Sequence, residues 1–303
     1  MTSPSSVAVT RRAHAKINVF LRVLGRREDG FHKVETVVLP ISLHDVVTAT
    51  EAPPGVRTLH VGGDREMARA VEAGFDDNLA GRAVEALIRR TRRGPEESGI
   101  ALHIDKRIPV AAGLGGGSAD AAATLLATAE VWRCDVGRET ALELAAELGS
   151  DVPAMLAGEP VLATGRGERL TPVHAASTWW VLKPFGFGVR AADAYAWWDE
   201  APATGPDPGV LVAALETGDV ELLGDALFND LQQPVAGRHP EIVEALGSFL
   251  EAGALGAIMS GSGPTVAALA RHIGHAESLA EAVPGSLVVG GAPPGVTPTP
   301  DAG

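Results

Sequence analysis

The sequence has little cysteine, few aromatic side chains and fewer cations than anions. Its 303 residues include a single cysteine, Cys134, so no disulfide can form within the chain and no cysteine-based zinc spacing exists. Lysine and arginine number 25 against 38 acidic residues, for a formal net charge of -13. This charge argues against general nucleic-acid binding, because that affinity comes largely from basic side chains that neutralise phosphates. An anionic ligand would need a local site of its own.

Long apolar runs are also absent. No uninterrupted stretch approaches the roughly 18 residues that a membrane-spanning helix needs, and the opening MTSPSSVAVTRRAHAK lacks the apolar region of a signal peptide. We therefore expect a cytoplasmic protein with no membrane partner. The apolar share of 46% is ordinary for a globular protein, and the length suits one large domain or two lobes.

The pattern of residues predicts a mixture of helices and strands. β-Branched residues and partial alternation predict strands over 7–27, 33–50 and 99–109, and apolar spacing of three and four predicts helices over 77–93, 118–132 and 139–148. The second half alternates short strands with helical stretches at 208–216, 221–227, 240–252 and 275–283. A rise in glycine content near 160–165 predicts a boundary between an N-terminal lobe, 1–162, and a C-terminal lobe, 163–291. Residues 292–303 are expected to form a disordered tail.

One segment before a predicted helix is unusually rich in glycine, the residue with the most backbone freedom. PVAAGLGGGSADAAATLL, residues 109–126, places four glycines between positions 113 and 117, directly before a predicted helix. A helix N-terminus offers free N–H groups and about half a positive charge, and glycines let the backbone surround an anion there, usually a phosphate. The segment lacks the Lys-Ser or Lys-Thr of a P-loop, and Ser118 replaces the third glycine of the dinucleotide fingerprint. Asp120 would repel a bare phosphate, so either a bound Mg²⁺ or simple dipole complementarity must accompany it. A flexible loop before a helix is the alternative interpretation.

The string PVAAGLGGGSADAA resembles the P-x-x-x-G-L-G-S/G-S-S/A-A-A signature of the GHMP kinases, the galacto-, homoserine, mevalonate and phosphomevalonate kinases. In that family the loop wraps the phosphates of ATP, and a serine near its end assists the metal. The resemblance implies ATP and Mg²⁺ as cofactors, with the Ser118 hydroxyl on the metal side. The phosphate-loop residues that it implies are Ala111, Gly113, Leu114, Gly115, Gly116, Gly117 and Ser118.

Three further segments are similar to this family, two of them to one branch of it. SGSGPTVAAL (260–269) is similar to a segment of the whole family, whereas AKINVFL…GRREDGFH (15–32) and LGSDVP (148–153) resemble the kinases that phosphorylate the 2-hydroxyl of a cytidine diphosphate-linked methylerythritol in the non-mevalonate route to isoprenoids. TGRGERL (164–170) is similar to members from high-GC bacteria. The implied partner is this small molecule, and the protein would be a monomer or a homodimer. A homoserine- or mevalonate-type kinase and a non-catalytic nucleotide-binding protein remain alternatives, whereas a hydrolase is disfavoured because no serine lies in G-x-S-x-G.

The resemblance also assigns catalytic residues. Asp151 stands where the family carries its catalytic base, and Lys16 matches the lysine that pairs with it and polarises the acceptor hydroxyl. Taken alone, Asp151 before a proline is equally typical of a helix N-cap, and a lone lysine among strand residues is usually solvated. Asn18 lies on the same strand face as Lys16 and could bind substrate or make a strand-edge hydrogen bond.

The remaining site residues belong to the two bases. In the family a cytosine lies between two aromatic side chains and is hydrogen-bonded by a histidine. Phe31 and Tyr195 are the implied stacking residues, His32 is the implied hydrogen-bonding residue, and Ser262 is a further substrate contact. Phenylalanine replaces the usual tyrosine at 31, and Ala191 stands where a threonine is common. An exposed turn histidine at 32 and core packing at 195 are the alternatives.

For the adenosine of ATP, the resemblance implies contacts from Asn78 and Lys106, and a surface role is the alternative for Lys106. It also implies the fold, an α+β two-lobe GHMP kinase. The N-terminal lobe would be similar to ribosomal protein S5 and the C-terminal lobe would be ferredoxin-like, with the active site in the cleft between them.

Overall fold

A long antiparallel hairpin is the centre of the first half of the chain. In the computed structural model, which describes residues 7–63 and 74–291, strand β1 covers Ala8–Arg26 and strand β2 covers His32–Glu51. The two strands pair along their whole length, from Ala8 opposite Thr50 to Arg26 opposite His32. Runs of buried β-branched and apolar residues in both strands drive this pairing, as the sequence predicts.

The hairpin builds a seven-stranded sheet. Strand β3 covers Arg57–Gly63, which the sequence pattern does not predict, and β4 covers Ile100–Lys106. The other three strands are short: β5 Val161–Gly165, β6 Arg169–Pro172 and β8 Phe228–Asn229. The strand order is β3-β4-β2-β1-β8, and β5 pairs with the hairpin end of β2 and with β6.

Within residues 7–63 and 74–291, four α-helices accompany this sheet, and one of them directs its N-terminus at the glycine loop. They are α1 Leu79–Thr91, α2 Gly116–Val131, α3 Arg138–Leu148 and α4 Val152–Ala157. Helix α2 is buried on nearly all sides, because alanines at 119, 121, 122 and 123 let its neighbours approach closely. It begins two residues earlier than predicted, since Gly115 adopts a left-handed conformation (φ 71°) as its N-cap.

A second, four-stranded antiparallel sheet forms in the second half of the chain. Its strands are β7 Trp179–Lys183, β9 Gly256–Met259, β10 Val266–Ala270 and β11 Leu287–Gly290, in the order β11-β7-β10-β9. In the order of the chain this is strand 4, 1, 3, 2, the split β-α-β arrangement of a ferredoxin-like lobe, and it confirms that expectation. The helices are α5 Ala191–Asp199, α6 Gly209–Thr217, α7 Val220–Asp225, α8 Gln232–Ala236, α9 Pro240–Glu251 and α10 Ile273–Ala282.

The exact division into lobes stays a prediction, but strand pairing bears on it. The predicted boundary after residue 162 falls inside β5, whose partners are both in the first sheet. Residues of β8 also return to the first sheet, beside Phe20 and Leu21 of β1. The predicted tail, 292–303, lies outside the described residues. Among the helices of the described ranges, none is long and apolar enough to cross a membrane.

Candidate active site

A cleft of about 630 Å³ lies where the two halves meet. This volume is typical of small-molecule sites. Its walls come from β1, the turn of the hairpin, the glycine loop, α5 and the turn between β9 and β10. The predicted site residues that line it are Lys16, Asn18, Phe31, His32, Gly113, Gly115, Ser118, Asp151, Tyr195 and Ser262.

The glycine loop is held against the turn that follows β9. Gly113 has φ of 76°, and a Cβ there would lie 2.5 Å from the carbonyl oxygen of Ser260, so no side chain fits. The Ser260 hydroxyl donates to the carbonyl oxygen of Gly113 at 3.1 Å. The neighbouring Leu114 is buried in the core, whereas Ala111 and Gly117 are exposed. The loop therefore has a fixed shape before any anion binds.

Lys16 connects the strand to this loop. Its backbone N–H donates to the carbonyl oxygen of Leu114 at 3.0 Å, and its ammonium donates to the carbonyl oxygen of Gly113 at 2.9 Å and to Asn18 Oδ1 at 2.6 Å. The side chain is only 4% exposed. The solvated role that a lone lysine usually has is therefore excluded here, and the ammonium is fixed at the edge of the cleft.

Asp151 faces Lys16 across the cleft. Its Oδ2 lies 3.5 Å from Lys16 Nζ, and its side chain is 47% exposed. Asp151 occupies the N-cap position of α4, with proline in the first turn, but its carboxylate makes no capping hydrogen bond. The carboxylate is therefore left to the cleft, an arrangement that suits a general base for a bound hydroxyl.

Asn18 is fixed by hydrogen bonds within the protein. Its amide donates to Thr36 Oγ1 at 2.8 Å, its backbone N–H donates to Ser260 Oγ at 3.1 Å, and the Thr36 hydroxyl donates to the carbonyl oxygen of Phe20 at 2.7 Å. Gly261 packs so closely that a Cβ there would lie 2.7 Å from Asn18 Oδ1. Asn18 therefore orients Lys16 from within the cleft wall, and a direct contact with substrate stays a prediction.

The other end of the cleft is aromatic. The rings of His32 and Tyr195 stack with centroids 4.7 Å apart and planes 16° apart. Phe31 is 50% exposed, and the guanidinium of Arg166 lies 4.8 Å from its ring centroid. The structure thus brings the three predicted base-binding residues into one cleft, in which the Tyr195 ring packs on the His32 ring. Burial raises the pKa of Tyr195, and the charge of Asp151 adds to that effect.

The two predicted adenosine contacts lie elsewhere. Asn78 caps α1, with its Oδ1 accepting from the Ala80 N–H at 2.9 Å. Lys106 is 2% exposed, and its ammonium binds the carboxylates of Asp45 and, at 2.8 Å, Asp120. Neither residue lines the cleft. Cap and core ion-pair roles thus occupy both side chains, and nucleotide contact by either one stays a prediction.

Burial raises the pKa of Asp120 to about 7; Lys106 opposes the shift and Asp45 adds to it. Two carboxylates and one ammonium would leave a buried negative charge, so the cluster favours taking up a proton. Asp45 Oδ1 accepts from the backbone N–H groups of Arg107 and Ile108, at 2.6 and 2.8 Å. Asp120 Oδ1 has no partner. The proton therefore belongs on Asp120. Helix α2 begins at Gly116, so Asp120 lies in its second turn, and a protonated carboxyl there would not repel a phosphate at the helix N-terminus.

Sequence reasoning missed several residues of the cleft. Thr36 supports Asn18, Asp199 binds His32 Nε2 at 2.8 Å, and Arg26 and Arg166 line the wall beside Phe31. Of these, Arg26 and Arg166 lie in segments that the resemblance includes, GRREDGFH and TGRGERL. The others meet the site through contacts between distant parts of the chain.

Comparisons with known proteins agree with this geometry. Residues 78–159 match the family described as "GHMP kinases N terminal domain", and residues 211–288 match "GHMP kinases C terminal". The chain is 43% identical over 290 residues to 4-diphosphocytidyl-2-C-methyl-D-erythritol kinase of Thermobifida fusca (strain YX), covering 93% of each chain. It is 42% identical over 282 residues to the kinase of the same name from Streptomyces coelicolor, covering 90% of this chain and 91% of the relative.

Solved structures give the same result. A crystal structure of 4-(cytidine 5'-diphospho)-2C-methyl-D-erythritol kinase matches with a TM-score of 0.77 and 32% identity, over 94% of this chain and 100% of that one. A homoserine kinase from Cytophaga hutchinsonii matches with a TM-score of 0.76 at 18% identity, over 99% of each chain, which shows the fold alone. The two-lobe α+β fold expected from the sequence is confirmed. The chain belongs to the GHMP kinase family and, within it, to the 4-diphosphocytidyl-2-C-methyl-D-erythritol kinases.

Proposed function

We propose that this protein transfers the terminal phosphoryl group of ATP to the 2-hydroxyl of 4-diphosphocytidyl-2-C-methyl-D-erythritol, a step towards isoprenoid precursors. The observation that carries the proposal is that one cleft joins the Lys16–Asp151 pair, 3.5 Å apart, to the His32–Tyr195 stack. One end suits an alcohol that must lose a proton. The other end suits a planar base.

The acceptor hydroxyl would lie between Asp151 and the glycine loop. The carboxylate of Asp151 takes the proton of that hydroxyl as the hydroxyl oxygen bonds to the terminal phosphorus of ATP, and the bond from that phosphorus to the bridging oxygen breaks and releases ADP. Lys16 lies within ion-pair distance of the carboxylate and holds it at the loop, and its ammonium polarises the attacking oxygen. Phosphoryl transfer requires mainly such positioning and charge stabilisation.

The phosphates of ATP would be held by the loop 111–118. Gly117 has no atom within 4 Å of a notional Cβ, so the backbone is open to a ligand at that point. Mg²⁺ typically keeps several waters and is bound by one or two carboxylates together with substrate phosphates. The Ser118 hydroxyl in the cleft wall would give the ion a protein oxygen beside those waters and phosphates, and the Asp151 carboxylate would remain with the acceptor hydroxyl. When bound, the ion would neutralise charge on the transferred group.

The diphosphate of the substrate needs cations in a chain of net charge -13. Arg26 and Arg166 line the cleft, and neither forms an ion pair with a carboxylate within residues 7–63 and 74–291. Arg166 is held over the Phe31 ring, next to the base-binding end. These two guanidinium groups are therefore the proposed partners of the diphosphate.

The test is a coupled assay of ADP release with three acceptors: the cytidyl compound, homoserine and mevalonate. We expect turnover with the cytidyl compound alone. Faster turnover with either of the other two would overturn the substrate assignment and leave a different GHMP kinase.

The same assay tests the base. Asp151→Asn should lower kcat about 10²–10⁴-fold, the usual contribution of a positioned base, with little change in KM for ATP. Asp135→Asn, an exposed aspartate outside the cleft, is the matched control. A kcat for Asp151→Asn within threefold of wild type would exclude Asp151 as the base.

A further inference from the structure

His32 is held by a carboxylate from a distant part of the chain. Its Nε2 lies 2.8 Å from Oδ1 of Asp199, which is 167 residues further along the sequence. His32 begins β2 directly after the hairpin turn, and Asp199 is the last residue of α5. Both residues line the cleft, although the His32 side chain itself is only 9% exposed. The contact therefore joins the two halves of the chain at the base-binding end.

Other contacts fix the plane of the imidazole ring. Tyr195 stacks on one face, and Trp198 contacts the ring edge-on, with centroids 5.8 Å apart and planes 89° apart. These ring contacts fix the orientation of the imidazole, but they do not determine which of its two nitrogens carries the hydrogen. Among the described residues, only Asp199 makes a hydrogen bond to the ring and so distinguishes Nε2 from Nδ1.

The hydrogen bond determines where the ring proton lies. An ionised carboxylate accepts hydrogen bonds and donates none, so Nε2 must carry the hydrogen. In the neutral ring Nδ1 is then an acceptor, and it has no partner among the described residues. We propose that Asp199 is a specificity-determining positioning residue, which presents His32 Nδ1 as a hydrogen-bond acceptor to the base of the substrate. This inference rests on the proposed function, because it assumes a nucleobase at this end of the cleft.

An acceptor at Nδ1 discriminates between the two pyrimidines. Cytosine carries an exocyclic amino group, a donor, at the carbon where uracil carries a carbonyl oxygen, an acceptor. Cytosine can therefore donate to Nδ1, whereas uracil would place one acceptor against another. A polar atom left unpaired in a buried site is costly, and this penalty is the basis of the selectivity.

Substitutions at Asp199 test the role of the carboxylate. The substrates are 4-diphosphocytidyl-2-C-methyl-D-erythritol and its uridyl analogue, and the measured quantity is the ratio of their kcat/KM values. Asp199→Ala should lower this ratio about tenfold, the factor that corresponds to about 1.4 kcal/mol, with KM for ATP unchanged. Asp199→Asn should lower the ratio at least as far, because an amide can donate to Nε2 and so favour the tautomer with hydrogen on Nδ1, which suits uracil. Asp193→Asn on the same helix, outside the cleft lining, is the control and should keep the wild-type ratio.

A second measurement reports on the ring itself. Nitrogen-15 NMR of the histidine-labelled protein at about pH 8, above the ordinary imidazole pKa of about 6.5, should show hydrogen on Nε2 of His32 in the wild type. It should show a changed tautomer in Asp199→Asn, and His32→Gln identifies the signal. A merely structural contact would lower stability or turnover with both substrates and leave the ratio alone.

The outcomes separate the two proposals. A wild-type ring with hydrogen on Nδ1, or an unchanged cytidyl-to-uridyl ratio in both Asp199 variants, would overturn the role of Asp199 and leave the kinase assignment standing. Failure of the wild type to phosphorylate either pyrimidine compound would overturn the proposed function, and with it any recognition of a base by His32.

Discussion

Replacing Lys106 by methionine separates two roles for this lysine. The sequence predicts that Lys106 contacts the adenosine of ATP, whereas the structure places its ammonium between the carboxylates of Asp45 and Asp120. The three side chains are at most 5% exposed. Methionine keeps the length and apolar character of the stem and removes the charge. Asp45 would still accept two backbone N–H groups, but Asp120 would have no partner for either oxygen.

The expected loss of stability follows from that geometry. Removing one partner of a buried ion pair typically costs about 3–5 kcal/mol, because a charge is left without compensation. At roughly 2–4 °C per kcal/mol for a chain of this order of size, Tm should fall by about 6–20 °C. The loss should be smaller at low pH, because Asp120 is then protonated and the variant has one buried charge fewer.

Thermal unfolding followed by circular dichroism measures the effect, and KM for ATP is determined in parallel. Lys33→Met, at an exposed position of β2, is the control and should leave Tm nearly unchanged. The double variant Lys106→Met with Asp120→Asn should recover part of the loss, since it removes the orphaned carboxylate. A Tm within about 2 °C of wild type, together with a KM for ATP raised tenfold, would refute the ion-cluster reasoning and support the nucleotide contact.

Two further predictions concern pH and the base. Folding raises the pKa of Asp120 from 3.8 to about 7, so its contribution to stability is fully present below 3.8 and is lost as pH rises through about 7. Asp120→Asn should therefore flatten the fall in Tm across this window; an equally steep fall in the variant would contradict the assignment of the proton to Asp120. Tyr195→Ala should raise KM for the cytidyl substrate about tenfold or more, because base–aromatic stacking is worth roughly 1–3 kcal/mol, while Tyr195→Phe should be mild. If Tyr195→Ala weakens ATP binding instead, the base lies elsewhere.

The parts of the site that lie in short segments could be predicted from the sequence. The glycine run predicted a loop before a helix, and that helix is buried in the structure. The segments AKINVFL and LGSDVP contain Lys16 and Asp151, whose charged groups the structure places 3.5 Å apart. Such segments encode their own conformation, so a resemblance of a few residues transfers their geometry. The resemblance to the family implied the ferredoxin-like sheet, and the alternation of strands and helices in the second half was compatible with it.

The parts that depend on contacts between distant segments could not be predicted. Nothing in the sequence around Asp199 indicates that its carboxylate meets His32, because the pairing depends on how α5 lies against the hairpin. Lys106 is a second residue whose partner comes from a distant segment of the chain. The resemblance to the family implied a contact of Lys106 with the nucleotide but gave no sign of its partner Asp45, which comes from β2, the strand that pairs with β4 in the sheet.

The conformation of the glycine loop depends both on its own residues and on contacts with distant segments. Its glycines appear equivalent in the sequence, and all suggest close approach of an anion. In the structure Gly113 is required because the turn after β9 packs against it, and Gly115 because it caps α2 in a left-handed conformation. Only Gly117 has open space where a side chain would be. The shape of the loop therefore comes from the protein's own packing, and a phosphate would meet a backbone already arranged for it, which is the preorganisation that phosphoryl transfer demands.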